Sequence, residues 1–165
     1  MPVRISQLLD PAFISLSLRG TEHAAALDEV SRLLQSHPDV TNYAGFYEGL
    51  LARDRLDTTC LGNGIALPHA RTEYVRKIVV AVGRSDQGVT FAGEPEPVRL
   101  LFVLGTPKAK PGDYLALVGT LCRLIKDSAH RALLLSATTP EDFITTVAQL
   151  ENKVLGPEKM PPPAG

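Results

Sequence analysis

Residues 13–18, Phe-Ile-Ser-Leu-Ser-Leu, alternate apolar and hydroxyl side chains with the period of two expected of a half-buried strand, and Arg19-Gly20 ends the run. Leu27, Val30, Leu33 and Leu34 then recur at helical spacing as far as Ser36, where His37-Pro38 breaks the pattern. Thr21 reads as the N-cap of this first helix, with the Glu22 carboxylate in its first turn. A second helix follows residues 39–41 and places Tyr43, Phe46, Tyr47, Leu50 and Leu51 on one face; Arg53 and Arg55 lie at its end. Residues 57–64, with their threonines, glycines and Asn63, have the content of a loop that turns sharply or approaches a ligand closely.

The apolar run Ile65-Ala66-Leu67 before Pro68 predicts a stiff, buried strand that ends on His69. Residues 77–83 and 98–104 are near-continuous apolar runs rich in valine and leucine, as in central strands buried on both faces. Between them, residues 88–91 read as a short edge strand and 92–97 as a turn. A third helix over residues 113–127 carries Leu117, Leu121, Leu124 and Ile125 on its apolar side, and a short one follows over 129–135. The last helix opens on Thr139-Pro140-Glu141, an N-cap followed by a proline at the first helical position, and its stripe is Phe143, Ile144, Val147 and Leu150. Strands with helices between and after them predict a single α/β domain over residues 1–155, with no internal repeat. The proline-rich tail 156–165 is expected to be extended or disordered.

Composition narrows the function classes. A net charge of −1 with interspersed signs gives no electrostatic footprint for nucleic acid or an anionic membrane, so neither is an expected partner. The absence of a long apolar run and of a signal-peptide pattern predicts a cytoplasmic protein without membrane insertion. Cys60 and Cys122 lack the spacing of a zinc or redox pair and read as buried or half-buried free thiols.

Of the four histidines, His23, His37 and His130 stand in polar or helix-end contexts and read as surface residues. His69 alone follows a glycine-flanked apolar run. Two readings fit it: a core histidine bonded to backbone, or a nucleophile whose neutral imidazole forms a covalent intermediate. With phosphorus as electrophile, the added negative charge needs positioned donors and cations. Arg53, the side chains of Thr58, Thr59 and Asn63, and the unobstructed backbone at Gly62 and Gly64 are the candidates in the sequence. Arg53 remains open between a phosphate fork and a cation at a helix C-terminus. Arg71 reads as a surface residue, and no neighbouring ligand pattern makes His69 a metal site, so no metal or cofactor is expected.

The stretch LLARDRLDTTCLGNGIALPHAR, residues 50–71, resembles the signature of the fructose, mannitol and nitrogen-regulatory type of enzyme IIA domain of the bacterial phosphoenolpyruvate-dependent phosphotransferase system. Leu50-Leu51, Arg53, Leu56, Thr58-Thr59, Gly62 to Ala66 and Pro68-His69 fall on that pattern, and residues 3–18 and 114–127 resemble the family's first segment and late helix. The resemblance implies a single mixed β-sheet flanked by helices on both faces, with the active histidine at its edge. It implies that His69 is the phosphoacceptor, reacting through Nε2, and that Arg53 helps hold the phosphate. It also implies that the phosphodonor is a histidine phosphocarrier of the HPr kind, and that the recipient is a IIB domain or a regulatory target. Two positions depart from the family pattern: Tyr114 stands where a second histidine is usual, and Cys60 stands where glycine is preferred. A phenol donates a hydrogen bond but cannot become a cation. Tyr114 is open between an accessory role at the phosphoryl group and simple packing at a helix start.

Overall fold

The computed structural model describes residues 4–109 and 111–157. In chain order the regular elements are β1 (Ile14–Ser15), α1 (His23–Arg32), α2 (Tyr43–Leu56), β2 (Cys60–Gly62), β3 (Ile65–Ala66), β4 (His69–Thr72), β5 (Val79–Val89), β6 (Val98–Pro107), α3 (Pro111–Ile125), α4 (Ser128–Ser136) and α5 (Pro140–Leu155). The strands make one mixed sheet in the order β1-β5-β6-β3-β2, with β4 also paired to β6. β5 and β6 are the antiparallel centre. β1 lies parallel to β5, and β3 and β4 lie parallel to β6.

Alternation along β5 and β6 sends successive side chains to opposite faces, and each face is covered by helices. Val80, Val82, Phe102 and Leu104 pack with Leu117 and Leu121 of α3, Leu134 of α4 and Phe143 and Val147 of α5. Val79, Ala81, Leu101 and Val103 pack with Leu27 and Val30 of α1 and Phe46 and Leu50 of α2. The sheet is therefore flanked on both faces, as expected. Helix ends follow local chemistry: Asn42 accepts from the Gly45 amide at the start of α2, and Thr139 accepts from Asp142 ahead of Pro140 at the start of α5.

Several boundaries differ from the sequence reading. The strand expected over 13–18 shrinks to β1, because Asp10 caps a 3₁₀ turn over Pro11–Phe13. α1 opens after Glu22 rather than after a capping Thr21. Glu22 bridges to Thr90 and the Thr21 carbonyl accepts from the Thr90 amide, so this backbone stays extended. The last turn of that helix tightens into a 3₁₀ segment over Leu33–Ser36. The separate edge strand expected over 88–91 is the continuation of β5, which passes through an irregularity after Arg84 and pairs again at Val89↔Val98. Residues 57–64 are not wholly loop: β2 and β3 form a hairpin across Asn63-Gly64, both at positive φ, the conformation of a two-residue primed turn. Beyond Pro157, the proline-rich tail lies outside the described residues.

Candidate phosphoryl-acceptor site

His69 opens β4 rather than closing the strand before it. Ile65 and Ala66 pair with Leu100 and Leu101, and His69 pairs with Leu104, so one register runs through β3 and β4. The gap between them falls at Leu67-Pro68, where proline has no amide to give to the ladder. Pro68 still accepts from the Leu104 amide through its carbonyl at 2.9 Å, and the Leu67 amide donates to the Thr59 carbonyl at 2.8 Å. The Leu67 carbonyl is left to the imidazole: Nδ1 of His69 donates to it at 2.9 Å. A carbonyl can only accept, so the proton sits on Nδ1 and the lone pair on Nε2.

Nε2 meets the hydroxyl of Tyr114, in the first turns of α3, at 3.0 Å, with the two ring centroids 5.0 Å apart. Burial pushes the imidazole pKa below its ordinary 6.5; the Leu67 bond opposes that shift and the nearby Arg53 charge adds to it. Burial likewise pushes the Tyr114 phenol up, against the pull of Arg53. At neutral pH the site therefore holds a neutral imidazole beside a neutral phenol, with a cation close by.

These groups border a cavity of about 540 Å³. Arg53, His69, Arg71, Thr106 and Tyr114 give it polar groups; Gly49, Ala52, Leu56, Ala70 and Leu115 give it apolar wall. Leu56 is 81% exposed and Leu115 67% exposed, so the rim carries large apolar side chains in solvent. Leu115 was not singled out in the sequence; its signal is an apolar residue beside Tyr114, off the buried stripe of α3. Arg53 also donates from Nη1 to the Asp57 carbonyl at 3.2 Å, bracing the chain where it leaves α2.

The structure brings together Arg53, His69 and Tyr114 but does not bring the other candidates to this cavity. Thr58 accepts from the Cys60 amide and donates to Glu94, and Thr59 is buried with its carbonyl bonded to Leu67. Gly62, Asn63 and Gly64 form the hairpin turn, where the Gly64 carbonyl accepts from the Arg99 and Leu100 amides and the turn borders a separate small cavity with Glu94 and Pro95. Arg71 is exposed, as expected, and also borders the cavity, where its Nη2 donates to the Lys108 carbonyl at 2.7 Å.

The remaining histidines are less solvated than their sequence contexts suggest. His23 stacks on Phe91 at 3.9 Å and bonds Asp54 at 2.9 Å, and His130 donates from Nδ1 to the Leu124 carbonyl with 12% of its side chain exposed. His37 accepts from the Asp39 amide and packs near Phe13. Both cysteines are free; Cys60 is half-buried and Cys122 is exposed, against the expectation of a covered thiol.

A mixed sheet with helices on both faces, and a histidine pinned through Nδ1 at a cavity shared with an arginine, describes a small class of α/β domain. The family model for the phosphoenolpyruvate-dependent sugar phosphotransferase system, EIIA 2, matches residues 7–150, and the chain belongs to this family. The nitrogen regulatory protein of Pseudomonas aeruginosa is 30% identical over 151 residues, covering 91% of this chain and 98% of that protein. The fructose-specific EIIABC component of Bacillus subtilis is 27% identical over 148 residues, but the chain spans only 23% of that larger relative. Among solved structures, the crystal structure of nitrogen regulatory protein IIA-Ntr from Neisseria meningitidis superposes with a TM-score of 0.80 at 27% identity, covering 87% of this chain and 98% of that one.

Proposed function

We propose that this chain is a phosphoryl carrier of the regulatory kind, phosphorylated on Nε2 of His69 and read by other proteins according to its phosphorylation state. One observation carries the reading: the Leu67 carbonyl holds the proton on Nδ1, which leaves the Nε2 lone pair toward a cavity that Arg53 also borders. In the transfer step that lone pair attacks phosphorus and forms an N–P bond. The N–P bond of the donor, a phosphohistidine on an HPr-like carrier, breaks, and the donor imidazole keeps the electron pair. The proton stays on Nδ1, hydrogen-bonded to the Leu67 carbonyl, whose dipole offsets the positive charge that develops on the ring. Arg53 meets the phosphoryl oxygens by charge-assisted hydrogen bonds. Thr58, Thr59, Gly62, Asn63 and Gly64 serve the site indirectly, by holding the hairpin that feeds the strand into His69.

The regulatory form is preferred because the match to a nitrogen regulatory protein runs over 151 residues and 98% of its length, against 126 and 104 residues, or 85% and 68% of the length, for free-standing fructose-type EIIA components. The alternative is a sugar-specific IIA subunit that passes its phosphoryl group to a IIB domain. The test is incubation with enzyme I, a histidine phosphocarrier and phosphoenolpyruvate, followed by intact-mass analysis. A gain of one acid-labile phosphoryl group, about 80 Da, absent from His69→Ala, is expected. No gain with several phosphocarriers would overturn the carrier reading and leave a binding domain of the same shape.

A further inference from the structure

We propose that Tyr114 is a catalytic residue that changes its hydrogen-bond partner with the state of His69, donating to Nε2 when the imidazole is free and to a phosphoryl oxygen when it is phosphorylated. This deepens the phosphoacceptor reading and rests on it.

The geometry of the free state supplies the first half. With its proton on Nδ1, the ring has a single in-plane lone pair, on Nε2, and the Tyr114 hydroxyl lies 3.0 Å from it. The phenol is therefore the donor in this bond. The nucleophilic electrons are capped, and an incoming phosphoryl group has to take the place of the hydroxyl proton.

The chemistry of the product supplies the second half. Once the N–P bond forms and the donor's bond to phosphorus breaks, Nε2 has no lone pair left, so the Tyr114–His69 bond cannot survive phosphorylation. The phenol sits in a half-buried place where an unpaired donor is costly. The nearest new acceptors are the oxygens of the group now attached to the same nitrogen.

Lys108, ahead of α3, also touches the chain around the end of β4. Arg71 donates to the Lys108 carbonyl, and Lys108 pairs with Glu73 at 3.0 Å, which ties the chain approaching α3 to the end of β4. These exposed contacts place Lys108 against the strand that carries His69. A bond to a charged phosphoryl oxygen is roughly twice as strong as a neutral one, so losing the hydroxyl costs the phosphorylated state more than the free state.

The test compares the full-length protein with Tyr114→Phe, which keeps the ring and removes the hydroxyl. In the unphosphorylated protein the 15N resonance of His69 Nε2 is expected to move in the variant; an unchanged resonance overturns the free-state half. Phosphoramidate, a small-molecule phosphodonor, then loads His69 without partner proteins. The 31P resonance of phospho-His69 is expected to differ between the two proteins, and identical resonances overturn the phosphorylated half. At equilibrium with a histidine phosphocarrier, the ratio of phosphorylated to free protein should fall roughly fivefold in the variant. An unchanged ratio overturns the proposal. A wild-type protein loaded by phosphoramidate but by no phosphocarrier sinks the carrier function, while the two spectroscopic arms still judge Tyr114. A wild-type protein that phosphoramidate cannot load at His69 overturns both.

Discussion

Nδ1 of His69 donates to the carbonyl of Leu67, two residues back along the chain, at 2.9 Å. Leu67 turns its amide to the Thr59 carbonyl, away from β6, while Pro68 joins β6 through its own carbonyl, so the Leu67 carbonyl lies outside the ladder to β6 and is left to the imidazole. Burial first, and then Arg53, lower the imidazole pKa below 6.5 against the opposing effect of the Leu67 bond. In an NMR titration the His69 midpoint should fall below that of an unstructured histidine. The sign for stability follows from proton uptake. Between the folded pKa and 6.5 the unfolded chain binds more protons, so the His69 contribution to stability is lost as pH falls through this window and declines no further below it. His69→Asn should flatten that part of the stability profile in denaturant titrations; an unaltered slope would contradict it.

Arg53 acts on the site in two ways that one substitution separates. Arg53→Gln removes a cation that pushes the imidazole pKa down, so the His69 midpoint should rise. It also removes a charge-assisted partner of the phosphoryl group, so the phosphorylated fraction at equilibrium should fall by roughly tenfold. A variant whose His69 midpoint rises while the fraction phosphorylated stays the same would confine Arg53 to electrostatic background.

The hairpin turn gives an opposite expectation. Gly64 lies at φ +77°, and a Cβ there would stand 3.1 Å from the Pro97 carbonyl oxygen. Gly64→Ala should cost about 1–2 kcal/mol of stability, read as a lower Tm. Well below that Tm the extent of His69 phosphorylation should match wild type. Loss of labelling in the folded variant would bring the turn into the phosphate site.

Far from the cavity, a buried carboxylate joins Arg4 in holding the N-terminal segment against α5. Glu151 of α5 is 0% exposed and accepts from the amides of Ile5 and Ser6 at 2.5 and 3.1 Å. Glu151→Ala leaves both amides unpaired and should destabilise the protein by about 3 kcal/mol. Hydrogen exchange should then accelerate first at the Ile5–Leu8 turn; equal protection there in variant and wild type would contradict the account.

Where pattern and packing agree, the fold can be read directly from the chain. The stripe Phe46, Leu50 on α2 and the Thr139-Pro140 start of α5 are local signals, and the structure keeps both. The misread boundaries trace to distant partners. The strand expected to end at Gly83 runs on, and Arg84 within it donates from Nη1 to the carbonyls of Leu134 and Ala137. Thr21 has the chemistry of a cap, yet a bond from the Thr90 amide keeps its backbone extended. At the site, His69 and Arg53 stand out in the sequence, whereas the contact between His69 and Tyr114 arises only when α3 crosses the edge of the sheet. The polar content of residues 57–64 suggests a cradle for an anion; in the fold their backbone forms the β2–β3 hairpin, and Thr58 accepts from the Cys60 amide and donates to Glu94.

The central claim, that Nε2 of His69 is the phosphoacceptor, is tested most directly by long-range 1H–15N correlation of the phosphorylated protein, selectively labelled at histidine. The account predicts one phosphorylated imidazole, His69, with phosphorus coupled to Nε2 and the proton retained on Nδ1. Phosphorus on Nδ1, or on any histidine other than His69, would contradict it.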